Sequence, residues 1–333
     1  MLNSIKIKNI EIKNPVILAP QAGITDLPFR NLVSSFGGED FSTSLTVSEM
    51  VPSASQVYLL NKKKGNDKIK RLYENYNSNT LTSVQIFGND PAVMAESAKI
   101  NENLGADIID INMGCPVNKI VKNGCGSDLL RNPELASRII KSVVSAVNIP
   151  VSVKIRTGWD FEHKNAVDFA KMIENAGASM LTIHGRTRSQ LYSGTVDLDT
   201  IKKVKSSVKI PVIGNGDIFK EEDAKHMLEY TGVDGVMVGR GIYGAPWFLY
   251  HIIYFLKTGE KLPEMSISEK KQILLKHISD MIQYYGEKTG LFNARKHIAW
   301  YSKGLRNSAE FRNLINNSEN ISEVYELIEK LFK

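Results

Sequence analysis

Short runs of apolar, often β-branched residues recur along the chain, spaced so that one helix fits between neighbours. They are VILAP (16–20), FSTSLTVS (41–48), LTSVQIFG (81–88), DIIDIN (107–112), PVSVKIR (150–156), MLTIHG (180–185), PVIGNG (211–216) and GVMVGR (235–240). Such nearly continuous hydrophobic stretches suit strands buried on both faces. Between them the spacing turns helical, as over Pro91–Leu104, Asn132–Val147, Ala166–Ala176 and Glu221–Tyr230, and Asn132-Pro133 reads as an N-cap followed by a first-turn proline. Strand and helix alternating eight times predict an α/β fold, a (β/α)8 TIM barrel. A doubly wound sheet is the competing layout. It would gather polar residues at one switch point, whereas here nearly every run ends on Gly, Asn, Gln, Lys, His or Arg.

Past Tyr243 the pattern changes. Trp247–Leu256 can serve as the last barrel helix, and 258–265, with Gly259 and Pro263, reads as a linker. No strand-like run follows; helical spacing covers 268–286, 291–306, 308–316 and 321–332. The expected organisation is a barrel over residues 1–257 and a small all-α helical bundle over 258–333.

Composition narrows the class. With 42% hydrophobic and 23% charged residues among 333, the chain can bury a large core. Cys115 and Cys125 are its only cysteines and are ten apart, which argues against a disulfide framework and for a reducing compartment. No apolar run reaches membrane length, and the first residues lack the hydrophobic core of a secretion signal, so a cytoplasmic protein is expected, without membrane partner. A monomer is expected. The net charge of +6 is concentrated: Lys288, Arg295, Lys296, Lys303, Arg306 and Arg312 face only Glu310 between 288 and 312, a local +5. That concentration favours an RNA-facing surface over a merely solvated one.

Candidate chemistry centres on Asp107–Gly126, DIIDINMGCPVNKIVKNGCG. Its strand delivers Asn112 to a loop in which Pro116 holds Cys115 in extended backbone, leaving that thiol either a small buried hydrophobe or a chemical group. In a barrel the carboxyl ends of the strands share one face. That face would collect Pro20, Gln21 and Ala22, then Gln85, Asn112, Cys115, Lys154, His184 with Arg186, Asn215-Gly216-Asp217, and Gly239-Arg240. The set suits a large, planar, partly anionic ligand, with the Gly-containing loops after strands seven and eight offering N–H groups to a phosphate. Lys154, on a strand that should be buried, needs an anion, an ion pair with Asp110, or a Schiff-base role. No HExxH, paired CxxC or carboxylate cluster supports a metal.

These tips resemble the flavin-dependent tRNA-dihydrouridine synthases, in particular the bacterial B type. The matching stretches include PQAGITDLPFR (20–30), VQIFG (84–88), DINMGCPVNKIVKNGCGSDLL (110–130), VKIRTGW (153–159), IHGRTR (183–188), GNGDI (214–218), VGRG (238–241) and ARKHIAWY (294–301), in the family's order over essentially the whole chain. The resemblance implies a barrel holding FMN, a C-terminal bundle that helps grip tRNA, and reduction of particular uridines to 5,6-dihydrouridine with NADPH or NADH as reductant. By position it assigns FMN contacts to Pro20, Gln21, Ala22, Gln85, Lys154, His184, Asn215, Gly216, Asp217, Gly239 and Arg240. It makes Cys115 the catalytic proton donor; beside it, Asn112 is a plausible partner for the uracil edge, and Arg186 at the mouth with Arg295 and Lys296 of the basic tail are expected to meet the tRNA substrate. His184 is also a plausible partner for the uracil edge. Two positions depart from the family pattern: Gln21 stands where methionine is usual, and Cys125 where a small residue such as alanine is usual. Alternative readings are an FMN-dependent small-molecule oxidoreductase of the dihydroorotate dehydrogenase-like kind and a non-catalytic tRNA-binding protein.

Overall fold

In a computed structural model, which describes residues 2–61 and 80–333, the eight apolar runs become the staves of a closed barrel. They are β1 (Val16–Leu18), β2 (Leu45–Val47), β3 (Leu81–Phe87), β4 (Ile108–Met113), β5 (Val151–Arg156), β6 (Met180–His184), β7 (Val212–Asn215) and β8 (Gly235–Val238). Each pairs in parallel with its sequence neighbours, and β1 pairs with both β2 and β8, so the cylinder closes without an edge. An antiparallel hairpin, Ile5–Ile7 with Ile10–Ile12, precedes it. Ile5, Ile7 and Ile12 pack with Ile17, Leu45, Ile108, Met180 and Ile213, so hydrocarbon fills the end of the barrel at the strand starts and the polar tips lie at the other.

Around the strands run α1 (Leu27–Ser34), α2 (Ser53–Asn61), α3 (Pro91–Asn103), α4 (Pro133–Ala146), α5 (Ala166–Asn175), α6 (Leu198–Ser207), α7 (Glu221–Thr231) and α8 (Phe248–Thr258). Their apolar faces meet the outward faces of the strands in one continuous core, for example Ile139, Val143, Phe169 and Ile173 against Ile109, Val153 and Leu181. Burying each such side chain contributes about 1.5–3 kcal/mol. Asn132 caps α4 by accepting from the Leu135 N–H at 3.1 Å, as its sequence position predicts.

The tail is entirely helical: α9 (Ile267–Tyr285), α10 (Glu287–Tyr301), α11 (Ser308–Asn317) and α12 (Ile321–Leu331). A Ser266/Glu269 capping box starts α9. These helices bury a second core, with Leu274, Ile278, Leu291, Ile298, Ile315 and Ile328 around Trp247. The tail docks on the β1–β8 side of the barrel. Asp26 at the head of α1 accepts from the Tyr285 hydroxyl at 2.9 Å, and Tyr243, after β8, stacks on Trp300 with ring centroids 4.0 Å apart.

Two boundaries differ from the sequence reading by four residues or more. The run 41–48 forms a strand only over Leu45–Val47, because Asn14 Nδ2 donates to the carbonyls of Asp40 and Ser42 and fixes the preceding chain by a side chain rather than a ladder. The helix expected over 291–306 is Glu287–Tyr301: it begins directly after Gly286, whose φ of +80° breaks the run from α9.

Candidate functional site

The site grows from register. Gln85, Asp110 and Ser152 are neighbours across β3, β4 and β5, and Asn112 lies level with Lys154 one step nearer the mouth. Asp110, 2% exposed, accepts from Gln85 Nε2 and from Ser152 Oγ, each at 2.6 Å. Burial pushes its carboxyl above the usual range against those two hydrogen bonds and the charge of Lys154. Gln85 Oε1 then accepts from Asn112 Nδ2 at 2.7 Å, and Asn112 Oδ1 accepts from the N–H groups of Gly114 and Cys115 at 3.1 and 2.9 Å. A continuous hydrogen-bonded chain thus runs from the barrel interior to the backbone of Cys115. From the other side Ser127 donates to the Cys115 carbonyl through both its N–H and its hydroxyl.

Cys115 lines the cavity, and burial raises its thiol above the ordinary cysteine value despite the nearby cations Arg156 and Lys154. It is therefore a protonated thiol at neutral pH, equipped to give a proton rather than to attack. Lys154 Nζ donates to Asn215 Oδ1 at 3.0 Å, and Asn215 Nδ2 donates to the Met237 carbonyl at 2.7 Å. No hydrogen bond joins Lys154 to Asp110, whose oxygens are taken by Gln85 and Ser152. Burial, then the neighbouring Arg156, lowers the Lys154 amine to about 8. His184, buried beside four cations, is held well below the usual histidine range and is neutral.

The expected tip residues meet. Pro20, Gln21 and Ala22 after β1 line one cavity of about 300 Å³ together with Gln85, Asn112 and Cys115. Lys154, His184, Asn215, Gly216, Asp217, Gly239 and Arg240 complete its wall. At Gly216, with φ +123°, a Cβ would lie 2.4 Å from Val196 Cγ1 and 2.9 Å from His184 Cδ2, so only glycine allows this turn. Arg186 stands behind the wall: it donates to the carbonyls of Ser193 and Gly194 and pairs with Asp217 at 2.7 Å, and Arg240 pairs with the other Asp217 oxygen at 3.2 Å. The two tail residues part ways. Arg295, half-buried, donates to the Ser318 carbonyl at 2.6 Å, whereas Lys296 reaches the β1 loop, its Nζ 3.2 Å from where a Cβ on Gly23 would sit.

Sequence reading missed several lining residues, among them Met50, Arg156, Tyr192, Phe219 and Tyr243. Arg156 carried a signal, since it follows Lys154 by two on one strand and shares its face. It donates to the carbonyls of Gly114, Thr187 and Leu191 at 2.8–2.9 Å and ties the cysteine loop to the loop after β6. Tyr192, in a loop without periodicity, carried none.

The donor set fits a flavin. A buried ammonium whose hydrogen bond goes to a neutral amide calls for an anionic ring edge, and Gln21 Oε1 is buried without a partner. Among the described residues, no group of three or more His, Cys, Asp or Glu could hold a metal, and no helix is long and apolar enough to cross a membrane.

Known proteins are similar to this chain. The sequence model of the dihydrouridine synthase family matches residues 17–333. A probable tRNA-dihydrouridine synthase of Rickettsia conorii is 48% identical over 96% of this chain and 96% of its own. The tRNA-dihydrouridine synthase B of Shewanella oneidensis is 43% identical over 97% and 96%. Among solved structures, the old yellow enzyme of Trypanosoma cruzi aligns with a TM-score of 0.56 at 13% identity, over 81% of this chain and 94% of that one. Histamine dehydrogenase from Rhizobium sp. 4-9 aligns at 0.58 and 12%, over 84% and 50%. At those identities the likeness is one of fold.

Proposed function

Because the chain belongs to the dihydrouridine synthase family, we propose that it reduces particular uridines of tRNA to 5,6-dihydrouridine, using FMN bound in the barrel mouth and NADPH or NADH as reductant. The observation that carries this reading is the hydrogen-bonded chain Asp110–Gln85–Asn112–Cys115, which anchors the backbone of Cys115 at the wall of a cavity that Lys154 and Arg240 also line. Reduced FMN, when bound, would supply a hydride to C6 of the uracil. The C5=C6 bond is conjugated to the C4 carbonyl, so addition at C6 moves negative charge onto C5 and O4. Cys115 then gives its proton to C5, and its raised pKa keeps that proton available. Lys154, held by Asn215, places positive charge in the flavin site. Pro20, Gln21, Ala22, Gln85, Asn215, Gly216, Asp217, Gly239 and Arg240 form the rest of that site. Asn112, together with the neutral His184, addresses the uracil edge, and Arg186 braces the wall.

Residues 1–257 act as the catalytic barrel and 258–333 as the tRNA-gripping bundle, with Lys296 at the lip nearest the β1 loop. A target base has to leave its stack to enter such a pocket. The test is direct: the purified protein is expected to be yellow and, with a nicotinamide reductant, to form dihydrouridine in unmodified tRNA. A yellow protein that reduces only small molecules would favour the dihydroorotate dehydrogenase-like reading, and a colourless tRNA binder the non-catalytic one.

A further inference from the structure

The bundle covers only one side of the mouth. It meets α1, the β1 loop and the segment after β8, whereas in this closed eight-strand cylinder β5 lies diametrically opposite β1. A second basic cluster occupies that far side. The guanidinium carbons of Arg131, at the end of the short 3-10 helix after β4, and of Arg188, after β6, lie over the indole of Trp159, after β5, at 4.5 and 4.6 Å from the ring centroid. Arg188 also donates to Asn118 Oδ1 at 2.7 Å, so the cluster is fastened to the loop that carries Cys115. Arg131 has one carboxylate partner, Asp128, at 3.2 Å, and its side chain stays 58% exposed. The nearby Asp160 is engaged by His163 at 2.7 Å. Between 117 and 131 the exposed cations are Lys119, Lys122 and Arg131 and the one acid is Asp128, with exposed Glu134 following at the head of α4.

We infer that Arg131, Trp159 and Arg188 form a second RNA-backbone site, gripping the tRNA across the mouth from the helical bundle. The inference rests on the tRNA reading and adds to it a surface on the barrel itself. A nucleotide turned into the cavity has flanking backbone leaving on both sides, and a bundle on one side can hold only one of those strands. The indole already carries two cations, so the cluster offers positive charge and N–H donors more than a bare ring for a base; phosphodiester is the matching chemistry. Fixing two like charges over one ring is unfavourable in the free protein and is relieved by an anion.

Arg131→Glu and, as the milder change, Arg131→Gln test this, alone and combined with Arg188→Gln, in equilibrium binding of unmodified tRNA at several salt concentrations. Flavin absorbance per chain serves as the folding control. The expected result is a Kd raised about tenfold by the charge reversal, with the slope of log Kd against log salt flattened by about 0.7–0.9 for each phosphate no longer neutralised. If the wild-type protein binds tRNA and forms dihydrouridine while the correctly folded variants match it in Kd and slope, the far-side site is wrong and the tRNA reading stands. A wild-type protein that does not bind tRNA overturns both.

Discussion

Two clusters of polar side chains are shut away from water in this protein, and they are built on opposite plans. At the barrel mouth every buried amide and carboxylate from Asp110 to Asn112 has its partner, and the sequence of donors and acceptors ends on Cys115. At the seam between α1 and the tail, His277 leaves both ring nitrogens without a partner, His297 leaves Nε2, and Tyr301 leaves its hydroxyl. Those rings pack instead: Phe29 lies 5.3 and 5.4 Å from the two imidazoles, which stand 4.6 Å apart, edge to face. An unpaired buried polar group costs about 1–3 kcal/mol, so such groups are kept where their flat shape matters more than their polarity. Hydrogen bonding therefore places atoms for chemistry at the mouth, while shape holds two units together at the seam.

Removing the charge at the mouth should separate function from stability most strongly. Lys154→Met is expected to slow uridine reduction about 10²-fold or more. The amine's folded value of about 8 lies below that of a free lysine, so its contribution to stability is complete only above the unfolded value and is lost as pH falls towards about 8. Below that pH the charge burdens the fold, and the variant should melt no lower than the parent; a large drop in thermal stability would mean Lys154 is structural. Asp110→Ala should do the reverse to the same network. Leaving Gln85 and Ser152 unpaired is expected to cost about 3 kcal/mol in urea unfolding, and an undisturbed midpoint would show the network to be slack.

The seam should answer to acid. His277, lowered to about 3, and His297, held by burial well below the ordinary histidine range, stabilise the fold above that range and lose that contribution as pH falls. Each is expected to give up about 1.4 kcal/mol per pH unit below about 6.5. Asp26, raised to about 6 by burial, acts in the opposite direction, its stabilisation fading as pH rises through that value. Comparing His277→Phe with wild type isolates the imidazole: the variant's stability should decline less between pH 7 and 5, and parallel curves would refute the assignment. The smallest effect is expected at Gln21. Its amide donates to the Tyr243 hydroxyl at 2.7 Å, and Gln21→Met should alter flavin affinity by no more than about tenfold, read by fluorescence titration.

What could be read from the sequence follows from how each feature is encoded. The eight strands were legible because burial on both faces writes an uninterrupted apolar run, and the cavity wall because strand tips must share one face once the cylinder closes. Phe41–Ser44 misled, since Asn14, far along the chain, captures the carbonyls of Asp40 and Ser42. Arg295, one of the cations of the tail, is half-buried, lying over the exposed Phe292 ring while it donates to the Ser318 carbonyl, a tertiary fact that no local charge tally contains. Tyr192, 55% exposed in an aperiodic loop, is placed by the buried guanidiniums of Arg156 and Arg186 gripping carbonyls beside it. Cys125, which stood out as a second thiol, is buried with Sγ 3.4 Å from the Asn123 carbonyl.

The central claim is that the mouth's hydrogen-bonded chain exists to hold Cys115 as an acid, and single-turnover reduction of unmodified tRNA by Cys115→Ala tests it most directly. The expected result is flavin content and tRNA affinity equal to wild type with dihydrouridine formation slowed about 10²–10⁴-fold. Formation at the wild-type rate by the flavin-loaded variant would contradict it.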